Sequence, residues 1–205
     1  MKATFDKSVA DLSRVIDRFP WTERAAYAEW LAQTFYYVRH STRLLAAAAA
    51  RFSFDAAGSS LHHRFAAHMA EEKKHELLAI HDLKQLDLSI DSFPERDSTR
   101  MFYEPQYYKI EHQDPIVLFG YILPLEALGP TCGARIIDQV TGVFGQKCAS
   151  FVRVHAEDDI SHLEKAFASL DGISEVHRRL VEQNMRQSTY SYLQMLSDMT
   201  SRLVA

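Results

Sequence analysis

Two short runs in this chain carry side chains of the kinds that bind first-row metals. The sharper is His155-Ala-Glu-Asp-Asp159-Ile-Ser-His162, an H-x3-D-x2-H pattern. At about 100° per residue, helix positions i, i+4 and i+7 fall within an arc of roughly 60°. Two imidazoles and one carboxylate therefore point the same way over two turns. That donor set suits a divalent ion such as iron or manganese. The bland alternative is a solvated polar stripe. It is the weaker reading, because Phe151, Val152, Leu163, Ala166 and Phe167 make this side apolar, and buried unpaired charge is costly.

The second run, His68-Met-Ala-Glu-Glu72-Lys-Lys-His75, repeats the spacing with glutamate. Glu72 and His75 form an E-x-x-H pair, a ligand pattern of carboxylate-bridged di-iron bundles. Glu71 competes with Glu72 for the role, and His68 adds an imidazole. Taken alone, Glu71 to Lys74 reads as a solvated charge run. Two triplets of one spacing on separate helices count against coincidence. A third element is Glu126, the only charged residue between Asp114 and Arg135. Pro130 cannot donate to its carbonyl, and Gly129 and Gly133 share its stripe. That predicts a bridging carboxylate with a small cavity beside it. A kinked core helix with Glu126 paired to an arginine is the alternative.

The elements that must hold these residues read as helices. The chain has 205 residues, 47% hydrophobic and 24% charged, with only 7 Gly and 6 Pro. Such a composition excludes disorder and predicts an all-α, compact bundle of about seven helices in a single helical domain, 1–205. Helices are expected at about 6–18, 23–52, 60–86, 96–103, 105–112, 115–142, 146–170 and 174–203, with Ser59 or Ser60 capping the third and Ser174 the last. The net charge is −4 without a basic block, so neither nucleic acid nor an anionic membrane is an expected partner. No apolar run reaches spanning length, and the N-terminus lacks a secretory apolar region; a cytoplasmic location is the expectation. Cys132 and Cys148 form no C-x-x-C pair, which argues against a zinc ribbon or redox pair.

The ordered set Glu72-x2-His75, Glu126 and His155-x3-Asp159-x2-His162 resembles the heme-oxygenase-like diiron oxidases and oxygenases, over about residues 23–200. The resemblance implies a heme-oxygenase-like fold. It also implies an iron cofactor of two ions, with manganese an option, held by Glu72, His75, Glu126, His155, Asp159 and His162. Glu72, Glu126 and Asp159 would then serve catalysis. It further implies O2 as co-substrate and a small amine- or carboxylate-bearing metabolite, with a homodimer left open.

Two other classes stand beside this reading. One is a metal-free thiaminase-like or quinone-synthase-like member of the same architecture, for which Cys132 is the available nucleophile. The other is a non-enzymatic iron-binding protein. On the first long helix Glu29, Tyr36 and His40 share a stripe, and His40 is read as a satisfied core residue. His62, His63, His81, His112 and His177 are read as surface residues.

Overall fold

The computed structural model describes residues 1–201, the side chains of Asp158 and Ile160 excepted. It is all-helical among the described residues, with ten α-helices and three short 3-10 turns. They are α1 (Lys2–Ile16), α2 (Arg24–Val38), α3 (Ser41–Ala49), α4 (Ala56–Glu71), α5 (Glu76–Gln85), α6 (Asp97–His112), α7 (Phe119–Glu126), α8 (Leu128–Phe144), α9 (Ser150–Ser169) and α10 (Glu175–Ser201).

Helix α2 is the axis of the fold. It is apolar nearly all round, and Ala26, Tyr27, Ala28, Leu31 and Ala32 are fully buried, as expected for a helix enclosed by others. It packs on α5, α6 and α10; α8 pairs with α9, α7 with α10, and α3 with α4. The stretch Pro115–Phe144 is long and apolar enough to cross a membrane by length alone, but most of it is buried inside the chain.

Five expected helices turn out differently, among them that of 115–142, which is a 3-10 turn followed by α7 and α8, parted at Ala127. The 23–52 helix is two, α2 and α3, parted at Arg39 and His40. The 60–86 helix is broken at Glu72–His75, where Lys74 has a φ of 74°. Conversely, 96–103 and 105–112 are one helix, α6, which runs through Pro105. Asp55, not Ser59 or Ser60, caps α4: its Oδ1 accepts from the Gly58 amide at 2.8 Å. Ser174 does cap α10, accepting from the His177 amide at 3.1 Å.

Gly129 and Gly133 were expected to leave space beside Glu126. Part of that space is taken by α9. A Cβ on Gly129 would lie 2.3 Å from the His155 carbonyl oxygen, and one on Gly133 2.8 Å from the Ala156 Cβ. The glycines set how closely α8 and α9 approach. Gly129→Ala should therefore destabilise the fold by about 1–3 kcal/mol, the usual cost of overpacking. Gly142, in the same helix, has nothing within 4 Å of its would-be Cβ, so Gly142→Ala should stabilise by about 0.4–1 kcal/mol. Urea unfolding of the two variants checks the opposite signs.

Candidate metal centre

Four chain segments deliver donors to one place. The last turn of α4 carries His68, and Glu72 follows it directly. His75 sits at the start of α5, Glu126 ends α7, and α9 supplies His155, Asp159 and His162. His68, Glu72, Glu126, Asp159 and His162 are at most 8% exposed. One ligand atom from each of His68, Glu72, Glu126 and His162 lies within 4.8 Å of all the others, and Glu72, His75 and His155 form a second such group. Glu72 belongs to both. Glu126 Oε2 is 3.1 Å from His162 Nδ1, and His162 Nδ1 is 3.7 Å from Asp159 Oδ1. Glu72 Oε2 is 3.5 Å from His75 Nδ1, whose ring lies 5.1 Å from that of His155. All six residues expected from the sequence are thus brought together.

The break at residues 72–75 changes why this works. Glu72 and His75 do not share a helix face through i, i+3 spacing. A turn between two helices points both inward. Glu71, the rival of Glu72, lies outside the cluster: its Oε2 is 3.2 Å from His162 Nε2, and its Oε1 accepts from Lys165 Nζ at 2.9 Å. His155 is oriented in a similar way. Its Nδ1 donates to the Phe151 carbonyl at 2.8 Å, which leaves Nε2 as the acceptor. Partners of this kind fix the tautomer of ligating histidines. Phe151 is itself anchored, because the amides of Ser150 and Phe151 donate to the fully buried Asp82 carboxylate at 3.0 and 2.9 Å.

Crowding carboxylates in a dry interior has electrostatic consequences. Burial raises Asp159 to about 8, with Glu126 and Glu72 adding to the rise. The Asp159 and Glu126 carboxylates raise His162 to about 10. Burial opposes the charge on His68, but contacts with Glu126 and Glu72 outweigh it and His68 also rises. Burial would likewise raise Glu72 and Glu126, yet the imidazoles beside them hold both below the ordinary glutamate range. Burial lowers His155, keeping it neutral. Only one of the three carboxylates is therefore neutralised by its own proton; two are balanced by imidazolium.

Whether these residues fit a metal is tested by their hydrogen bonds. His68 Nε2, Glu126 Oε2 and His162 Nδ1 are buried, yet none makes a hydrogen bond. They crowd one another without aligning as donor and acceptor. Buried polar atoms are normally satisfied, and an ion among them would satisfy all three. Imidazole and carboxylate together suit iron and manganese.

A cavity of about 120 Å³ opens on the cluster. His68, Glu72, Glu126, His155 and Asp159 face it on one side, and Trp30, Tyr37, Ile122, Tyr121 and Tyr192 give an apolar wall. The Tyr121 hydroxyl is buried without a hydrogen-bond partner. Trp30 and Tyr37 reach the cavity from α2. Tyr36 and His40 do not reach it: the Tyr36 hydroxyl donates to the Phe93 carbonyl at 2.8 Å, and His40 Nδ1 is 2.8 Å from the Tyr107 hydroxyl. His62, His63 and His112 are exposed, whereas His81 and His177 are half-buried.

No family model matches the chain, and no curated protein matches it. Solved structures do resemble it. A domain of unknown function with a heme oxygenase-like fold from Shewanella denitrificans OS217 superposes with a TM-score of 0.84 at 16% identity, covering 99% of this chain and 93% of that one. A TenA homolog from Pseudomonas syringae pv. tomato DC3000 does so at 0.77 and 11% identity, covering 96% and 92%. At such identities the likeness establishes the fold: the chain has a heme oxygenase-like architecture.

Folded Asp159 keeps its proton to about pH 8 and folded His162 to about pH 10, against roughly 3.9 and 6.5 in an unfolded chain. The folded state binds more protons over those intervals, so stability falls as pH rises through them. Burial of His40 and His155 acts in the opposite sense, raising stability with pH, but their folded values lie below the ordinary histidine range, so this gain is complete by about pH 7. The metal-free chain should lose thermal stability between about pH 7 and pH 8.5, and saturating Mn2+ should flatten that slope by replacing the protons. A Tm series with and without Mn2+ checks it; a flat metal-free profile contradicts the protonated cluster.

Proposed function

We propose that this chain is a non-heme diiron enzyme that uses O2 to oxidise a small amine- or carboxylate-bearing molecule. The observation that carries the proposal is the set of buried, hydrogen-bond-deficient side chains gathered beside an apolar cavity that His68, Glu72, Glu126, His155 and Asp159 line. Glu72, His75, Glu126, His155, Asp159 and His162 would hold two iron ions, with Glu72 shared between the two positions; manganese suits the same donors. Bound as a ferrous pair, the iron supplies the electrons and open coordination sites for reducing O2.

The protein's part is positional and electrostatic. The Phe151 carbonyl and the Glu71 carboxylate fix the rings of His155 and His162. Asp159 holds a proton at its carboxyl group and releases it when a cation takes its place. The wall of Trp30, Tyr37 and Ile122 excludes water from the reacting region. The Tyr121 hydroxyl offers the substrate's amine or carboxylate a hydrogen bond in an otherwise apolar wall.

A second reading, the metal-free thiaminase-like one, draws on the likeness to the TenA homolog. Among the described residues, no cysteine lines the cavity. Cys132 is not among the lining residues; its thiol lies 3.5 Å from Ser13 Oγ, and burial raises its pKa. Iron storage without catalysis remains the third reading, and the apolar cavity beside the cluster counts against it.

Anaerobic titration with ferrous iron should give about two ions per chain, followed by a transient visible chromophore on exposure to O2. Glu72→Ala, which removes the shared carboxylate, should abolish tight uptake; His155→Ala should reduce it to about one ion. Absence of uptake would favour the thiaminase-like reading, and uptake without oxidation of any amine or carboxylate would favour storage.

A further inference from the structure

Of the buried imidazoles, His68 has no assigned role in the six-residue set, and its surroundings are the most demanding. It is 3% exposed on the last turn of α4. Its Nε2 lies 3.0 Å from Glu126 Oε1 and 3.6 Å from Glu72 Oε1, and its ring centroid is 4.8 Å from that of His162. A histidine serving only to position Glu126 would aim its N–H along the line to a carboxylate oxygen. Here Nε2 is close to two carboxylates and aligned with neither, and it makes no hydrogen bond. The same is true of Glu126 Oε2 and His162 Nδ1. Atoms of three side chains, from three helices, thus share one geometry: close together, unaligned with one another, and within 4.8 Å as a group that includes Glu72.

We infer that His68 is a direct, seventh protein ligand, binding through Nε2 the metal position formed with Glu72, Glu126 and His162. The inference rests on the diiron reading and extends it. That position then has four protein donors, two imidazole and two carboxylate, with Asp159 beside it at 3.7 Å from His162, while its neighbour, formed by Glu72, His75 and His155, has three. The two positions become chemically unequal. The neighbour keeps more sites for exogenous ligands, and both positions border the cavity, the first through His68 and Glu126 and the neighbour through His155.

Zinc is a diamagnetic probe for the same nitrogen atoms. Long-range 1H–15N spectra of the full chain, recorded before and after Zn2+ addition and with His68 assigned through its own backbone, read each ring nitrogen separately. The expected result is that His68 Nε2 moves to the metal-bound position together with nitrogens of His155 and His162, leaving the His68 proton on Nδ1. An unchanged His68 beside shifted His155 and His162 overturns the inference and leaves the metal centre standing. If no imidazole shifts, the metal centre itself fails. A second measurement is Mn2+ affinity by EPR. His68→Gln should weaken one of two Mn2+ ions by more than about 100-fold, beyond the 10–100-fold that loss of an outer partner costs, with the exposed His62→Gln unchanged. A loss of only about tenfold would make His68 a positioning residue and overturn the ligand assignment.

Discussion

Everything in this fold answers to one cost: three carboxylates and four imidazoles are taken out of water and set within a few ångströms of each other. Isolated ions in such surroundings are unstable by several kcal/mol each. The chain offsets this in three ways. The imidazoles of His68, His75 and His162 hold Glu72 and Glu126 below the ordinary glutamate range. A retained proton neutralises Asp159. Glu71 and Lys165 extend the charge pairing from His162 outward to solvent. None of the three saturates the hydrogen-bonding capacity of the cluster, and that residual deficit is what a cation would fill.

Helix geometry follows from the same requirement. A continuous helix through residues 60–86 would send Glu72 and His75 along one face of one rod; the turn at Lys74 instead lets α4 and α5 diverge while both donors face inward. Glu126 ends α7 at the junction with α8, and the glycines that follow admit the backbone of α9 to close range. The close approach and the break are therefore parts of one arrangement, with small residues where helices must touch and turns where donors must converge.

The all-helical class and the convergence of the six side chains were legible because each left a pattern in the sequence. The spacing of His155, Asp159 and His162 survives intact on a real helix, and Glu126 stands out as a lone charge in an apolar stretch. The break at residues 72–75 left no such mark: Lys74 has no proline or glycine neighbour, yet its backbone is left-handed, and α4 and α5 pack on different partners, α4 on α3 and α5 on α2. The reverse holds at Pro105, a punctuation mark that tertiary contacts override, since Phe102, Tyr103 and Gln106 on either side are buried within a single helix. Gly129 and Gly133 show a different limit. A stripe of small residues signals a nearby neighbour or an empty space, and sequence alone does not distinguish them. Partner identity was likewise hidden for Glu71, whose place outside the cluster depends on Lys165, 94 positions away.

The grip of Asp82 on the first two amides of α9 has a bearing on how the chain tolerates changes in length. With its origin pinned at Ser150 and Phe151, α9 works as a ruler on which His155, Asp159 and His162 are fixed graduations. One residue added or removed between Ser150 and His155 turns every later graduation by about 100° and shifts it by about 1.5 Å. All three side chains would leave the cluster together. Beyond His162 the same edit leaves the three graduations in place and reaches them only through the Lys165–Glu71 pair. Lineages of this chain should vary in length after the ruler's last mark and keep the count before it unchanged.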